Sequence, residues 1–269
     1  SDLTESGENP NFFRTIPRDG LQTELLARLV REGGFRSAAV LHDQTDYGET
    51  LALLMEEALA RDAAPGAAAP LSVGVGPERG DMDAVAARLK ASGADAVVWC
   101  GYFNGAARLA ATLRERGIRA ALFGAEAVAD DRFIDLAGEA AEGAVVVMPA
   151  VPPVAAGAAA EALEGHARVR REEPGPYFLT SAAAVQALLA AAEGAGSADD
   201  LDLIKARLTG TEARTALGPA LFDSKGDLAG AAFAAYVAKG GRFEPLEGAG
   251  LAADPPREAP GASGAAAGP

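Results

Sequence analysis

The chain has 269 residues with 38 acidic and 24 basic side chains, a formal net charge of −14. That balance excludes a basic nucleic-acid footprint, and a single cysteine, Cys100, excludes both an internal disulfide and a cysteine-based zinc cage. Apolar residues at 49% and charged ones at 23% are ordinary for a globular protein, so the length allows one large domain or two smaller ones.

From Asp19 onward, helical stretches alternate with short apolar runs bounded by glycine or acidic turn residues. Helix Leu21–Arg31 puts Leu25, Leu26, Leu29 and Val30 on one face and stops at Gly33-Gly34. Strand Ser37–His42, helix Glu49–Arg61 and strand Leu71–Val75 follow. Asp81 reads as the N-cap of a helix over 82–92, before strand Ala96–Cys100. Helix 105–116, strand 120–124, a short helix over 130–137 and strand Ala144–Met148 complete five apolar runs, which suit one parallel sheet covered by helices. The fold class is therefore α/β.

Pro149–Pro153 breaks this pattern, because proline removes backbone donors and fixes φ; a crossover is expected there. Residues 157–208 read as about three helices with no strand of their own to cover. Ala220–Leu228, Phe233–Ala238 and Arg242–Leu246 read as antiparallel strands, and residues 248–269, rich in Ala, Gly and Pro, as a disordered tail. Alanine makes up about a quarter of the chain, so its helices say little about function. No apolar run reaches the roughly 20 residues of a membrane span, and no signal-peptide pattern opens the chain. Residue 1 is Ser rather than Met, which reads as a processing site or a break.

Ligands of open parallel sheets bind beyond the carboxyl ends of the strands, which directs attention to four loops: Asp43–Glu49, Gly76–Gly80, Gly101–Asn104 and Ala125–Val128. Two tyrosines, Tyr47 and Tyr102, fall in these loops together with Glu126. Aromatic faces attract cations and a carboxylate gives an ammonium a charge-assisted hydrogen bond, so this set suits a small amine-bearing ligand. The plainer alternative is loop tyrosines capping the sheet edge and a solvated glutamate. Gly74, Gly76 and Gly80 follow a strand, but their spacing departs from a dinucleotide fingerprint and the next strand ends without a ribose-binding acid, so a flexible turn is favoured. His42, Asp43 and Asp46 form a polar cluster that lacks converging partners for a metal, and Cys100 has no flanking base to activate it. No cofactor and no metal are expected.

At these residues the sequence resembles the type I periplasmic binding proteins of branched-chain amino-acid ABC transporters. Asn11–Thr15 with Pro17, the loop Asp46–Glu49, the run Val97–Tyr102, Gly124–Glu126, Glu139–Gly143 and Phe222–Leu228 stand in that family's order and spacing, over about residues 9–246. The resemblance implies two α/β lobes joined by three crossovers that close over an amino acid or similar small polar solute. Lobe two would comprise 17–150 plus 219–247 and be complete; 1–16 plus 151–218 would be a mainly helical remnant of lobe one. Tyr47, Tyr102 and Glu126 would line the lobe-two wall, Glu126 receiving the ligand ammonium, with Tyr177 contributed by a lobe-one helix. Family members carry a further βα half of lobe one before the Asn11–Thr15 segment, including the groups for the ligand carboxylate. That half is expected to be missing here, which would also account for helices without strands. Ala127 stands where glycine is common and Ala182 where an aromatic is frequent, which points away from a leucine-like ligand.

The resemblance thus implies a periplasmic or extracytoplasmic solute receptor that serves a membrane permease and does no chemistry. A ligand-sensing domain of the same fold is the alternative, in which closure signals instead of delivering cargo. A Rossmann-like enzyme using Asp43 or His42 is a third reading.

Overall fold

A computed structural model describes residues 3–4, 8–61, 69–76, 79–151, 157–170 and 174–252, with backbone only at 79–80 and 248–252. Helix α1 (Asp19–Glu32) precedes strand β1 (Ala38–His42), and α2 (Asp46–Arg61), β2 (Leu71–Gly74), α3 (Arg79–Ser92), β3 (Ala96–Cys100), α4 (Phe103–Glu115), β4 (Ala121–Gly124), α5 (Asp131–Ala137) and β5 (Val145–Pro149) keep the alternation. These five strands are parallel, in the order β2-β1-β3-β4-β5. Two antiparallel strands, β8 (Ala232–Lys239) and β9 (Arg242–Ala252), extend the sheet beyond β5.

Side-chain alternation explains why β3, buried along its whole length, runs through the middle. Val97 and Trp99 enter one core with Leu41, Leu109, Phe133 and Val146. Val98 and Cys100 enter the opposite one, with Leu25 and Leu26 of α1, Met55 of α2 and Phe233 of β8.

Several boundaries differ from the sequence expectation. Helix α2 starts at Asp46, because the Thr45 hydroxyl accepts the Gly48 N–H at 3.0 Å and caps the first turn. Asp46, Tyr47 and Gly48 are therefore helical rather than loop residues. Helix α3 begins at Arg79, so Asp81 lies inside its first turn instead of capping it. Ala220–Leu228 is not a strand. A hairpin of β6 (Ala213–Thr215) and β7 (Gly218–Ala220) precedes a loop closed by one antiparallel bridge, Phe222 to Leu228. Inside that loop the Asp223 carboxylate accepts the N–H groups of Lys225 and Asp227, turning the chain back on itself where a ladder would need them free. The expected tail also starts too early, since residues 248–252 continue β9 against Ala232–Ala234; residues 253–269 lie outside the described ones.

The loop at 222–228 is joined to the segment at 11–15. Phe13 and Phe222 meet edge to face at 5.5 Å, and Arg14 Nε lies 2.7 Å from Asp227 Oδ1. Thr4 donates to the same carboxylate. Gly226 sits at φ +90° with the Phe12 carbonyl where a Cβ would project, so only glycine fits.

Helices α6 (Ala158–Val169), α7 (Phe178–Ala195) and α8 (Leu201–Gly210) form a separate layer. Helix α7 buries a stripe of small residues, Thr180, Ala183, Ala187 and Ala191, and packs against α8 and β6. Val185, Leu188 and Leu189 are 59%, 53% and 58% exposed. By length and composition alone α7 is apolar enough to cross a membrane, which the sequence reading did not expect of any run.

Candidate functional site

The strand order reverses between β1, whose chain goes on to β2, and β3 on its other side. Loops leaving the carboxyl ends of two such strands diverge and open a crevice. Tyr47, in the first turn of α2, and Tyr102, just before α4, stand at this point with ring centroids 5.5 Å apart and planes tilted by 42°.

Asp43 holds the crevice together. Its carboxylate accepts from the Thr45 hydroxyl at 2.6 Å and the Thr45 N–H at 3.2 Å on one side, and from the Tyr102 N–H at 2.9 Å on the other. Gly48 and Gly101 make room for it, since a Cβ at either would strike the Asp43 side chain. The Tyr102 carbonyl in turn accepts the Trp99 indole N–H at 3.0 Å. Both polar groups of the Tyr102 backbone are thus fixed, while its side chain remains 48% exposed.

Glu126 opens a short 3-10 turn, Glu126–Val128, after β4. Its backbone N–H donates to Gln22 Oε1 at 3.0 Å, and Gln22 Nε2 donates to Asp19 Oδ1 at 3.1 Å. Gln22 is fully buried, so its amide has one orientation that serves both partners. Burial, with a smaller contribution from the Asp19 charge, pushes the Glu126 carboxyl up to about 7. Burial and then the Glu126 charge raise the Tyr47 phenol far above its usual range, and the same two causes raise that of Tyr177. Glu126 Oε2 and Tyr47 Oη are buried and have no hydrogen-bond partner among the described residues.

The structure therefore brings Tyr47, Tyr102 and Glu126 to one place, with Tyr177, just ahead of α7, within electrostatic range of Glu126 and Tyr102. The other candidates go elsewhere. His42 Nδ1 accepts the Gln44 N–H at 3.3 Å, and His166, on α6, packs on Phe178. No group of three or more metal-ligating side chains occurs among the described residues. Gly76 backs onto the Asp81 carboxylate, which would repel a phosphate. Cys100 is fully buried and burial raises its thiol pKa, leaving a poor nucleophile. Sequence reasoning missed Asp19 and Gln22. A glutamine on the leucine stripe of α1 was the available signal, a polar group on a face otherwise built for the core.

A family model described as periplasmic binding protein matches residues 1–242. The leucine-specific-binding protein of Salmonella typhimurium is 31% identical over 238 residues, which cover 87% of this chain and 62% of that protein. The Leu/Ile/Val-binding protein homolog 1 of Brucella abortus is 32% identical over 219 residues, 81% of this chain and 57% of its own. The chain thus spans less than two thirds of the length of these relatives. A crystal structure of a leucine-binding protein from Thermotoga maritima superposes with a TM-score of 0.75 over 94% of this chain and 71% of that one, and at 20% identity it speaks to the fold alone. The chain belongs to the periplasmic binding protein family, in the type I branch that includes the branched-chain amino-acid binders.

Proposed function

We propose that this chain is part of the extracytoplasmic solute-binding component of an ABC importer, which captures an amino acid or similar small polar solute between two lobes and hands it unchanged to a membrane permease. The family is one of substrate-binding proteins. In this reading Tyr47, Tyr102, Glu126 and Tyr177 are the ligand-binding residues. Residues 17–150 with 219–247 form lobe two, and 1–16 with 151–218 form part of lobe one.

The observation that carries the reading is the pair of buried atoms without a hydrogen-bond partner among the described residues in one crevice, Glu126 Oε2 and Tyr47 Oη. Buried polar groups are normally satisfied, and an ammonium group has the donors that this carboxylate accepts, beside aromatic faces that favour a cation. Three segments that would join the lobes also run side by side. Thr15 and Pro17, Pro149–Val151, and Leu217 and Pro219 line one groove of about 320 Å³, where the Ala150 N–H also donates to the Ala232 carbonyl at 2.8 Å. The exposed Val185, Leu188 and Leu189 face of α7 is where the remainder of lobe one would pack.

Calorimetry of the protein with an intact cleft, against a panel of free amino acids, tests the assignment through Glu126→Gln. A charge-assisted hydrogen bond is worth roughly 1.5–3 kcal/mol, so affinity for the bound amino acid should fall about tenfold to a hundredfold. Unchanged affinity would remove Glu126 from the site.

A further inference from the structure

We infer that Asp19 and Gln22 are positioning residues for the Glu126 acceptor, and that with them in place the capture of a cationic ligand weakens as the medium acidifies through neutrality. The inference rests on the reading of this crevice as a cation subsite.

The geometry is a relay across three elements. Asp19, in the first turn of α1, fixes the Gln22 amide; that amide fixes the Glu126 backbone at the end of β4; and Glu126 Oε2 is left buried without a donor. A carboxylate in such a place lacks the hydration that would stabilise its charge, and a second carboxylate on the next element opposes that charge further. Among the described residues, the ionisable groups that act most on the crevice include Asp19 from α1, Tyr47 from α2, Cys100 from the end of β3, and Tyr177 before α7, with Asp130 ahead of α5 and Tyr102 ahead of α4 acting on Tyr177. None of these is a cation. Arg132, the cation beside Asp130, is held by both oxygens of that carboxylate and lies over the Phe103 ring.

The sign follows directly. Glu126 titrates at about 7, so it is mostly protonated at pH 6 and mostly charged at pH 8. A ligand cation needs the charged form, and apparent affinity scales with the fraction of protein that carries it, which makes binding about tenfold weaker at pH 6 than at pH 8. Asp19 contributes to this in two ways, by its charge and by holding Gln22.

NMR of the chain with carbon-13-labelled glutamate side chains tests the inference without any ligand. The Glu126 carboxyl, assigned through its loss in Glu126→Gln, should titrate near 7 in the wild type. In Asp19→Asn, which keeps the oxygen that accepts from Gln22, the midpoint should fall below the wild-type value. Gln22→Met, which removes the bridge but keeps the volume, should alter the Glu126 backbone amide shift and its titration together. A purely structural role for Asp19 and Gln22 would leave the midpoint near 7 in both variants and overturns the inference, as does a wild-type midpoint in the ordinary carboxylate range. The ligand arm uses n-butylammonium, with butanol as the uncharged control. Its apparent affinity should drop about tenfold from pH 8 to pH 6 in the wild type and less in Asp19→Asn. A tenfold drop of equal size in Asp19→Asn also overturns the pH linkage to Asp19. If butylammonium perturbs no crevice signal at either pH, the cation-subsite reading itself falls, and the ligand-free titrations still decide whether Asp19 and Gln22 position Glu126.

Discussion

The seven-stranded sheet and the α6–α8 layer are built from the same alanine-rich sequence and come out differently. Around the sheet, large side chains are buried on both faces: Trp99, Phe133, Phe233, Leu25 and Leu109 are each at most 1% exposed. In the helical layer the groups that α7 buries are small, Thr180, Ala183, Ala187 and Ala191, while its Val185, Leu188 and Leu189 face outward and the larger buried side chains, Ile204, Leu208 and Phe222, come from its neighbours. Alanine suits helix formation in both places, but it removes little apolar area from water, so the alanine stripe of α7 contributes little burial of its own. Helix propensity determines that these segments are helices; the placement of the few large apolar residues determines which of them are anchored.

The largest expected effect breaks this contrast at its strongest point. Trp99→Ala should destabilise the protein by about 3–5 kcal/mol, through cavity formation under β3 and loss of the indole bond to Tyr102. Leu188→Ala on α7, at a side chain 53% exposed, should change stability by less than about 0.5 kcal/mol. Denaturant unfolding with matched m-values would check both, and a Leu188→Ala cost comparable to the Trp99→Ala cost would mean that the α7 face is packed in solution.

A smaller effect sharpens the comparison within the sheet side. A carboxyl that titrates at about 7 when folded and at its ordinary value of 4.5 when unfolded contributes stability at low pH that is lost as pH rises from 4.5 through 7. Glu126→Gln should therefore be stabilising by about 1–3 kcal/mol at pH 8, with the benefit gone near pH 4.5. Thermal unfolding of the two proteins across that range would show it, and a variant equally stable with wild type at pH 8 would remove the strain attributed to this glutamate. On the proposed function the same substitution also weakens ligand binding, which would set function against stability at one carboxyl group.

The smallest effect belongs to the surface. Arg61 and Glu24 join α2 to α1 at 3.0 Å, yet both are well exposed. Arg61→Ala should cost no more than about 0.5 kcal/mol and less in high salt, by the same unfolding measurement. A loss above about 1 kcal/mol would show that this edge of the sheet's helical cover is anchored by charge as well as by leucines.

The alternation of helices and strands was legible because β-branched runs bounded by glycine mark buried parallel strands, as at Ala96–Cys100. The boundaries that escaped did so for local reasons. Thr45 capped α2 from what read as a loop, and β9 ran on through Gly248–Ala252, paired with Ala232–Ala234, without the apolar alternation that marks a strand. At the crevice, Tyr47, Tyr102 and Glu126 could be singled out because each closely follows an apolar run that becomes a strand. Asp19 could not, and Gln22 showed only as a polar side chain on the leucine stripe of α1, since the group it serves lies 104 residues further on. Asp43 stood out in sequence as a candidate acid, and its observed bonds to Thr45 and Tyr102 make it a fastener between two loops.

The fixing of Tyr102 by its backbone has a consequence for how this crevice can change. Because Asp43 and Trp99 hold the peptide N–H and C=O on either side of that residue, no part of the attachment depends on what the side chain is. The position is a socket: a phenol, an indole, an imidazole or a short polar group can be plugged into it without shifting α4 or the strand beneath. On the proposed function, drift at this single codon would retune what the crevice recognises while the scaffold stays still.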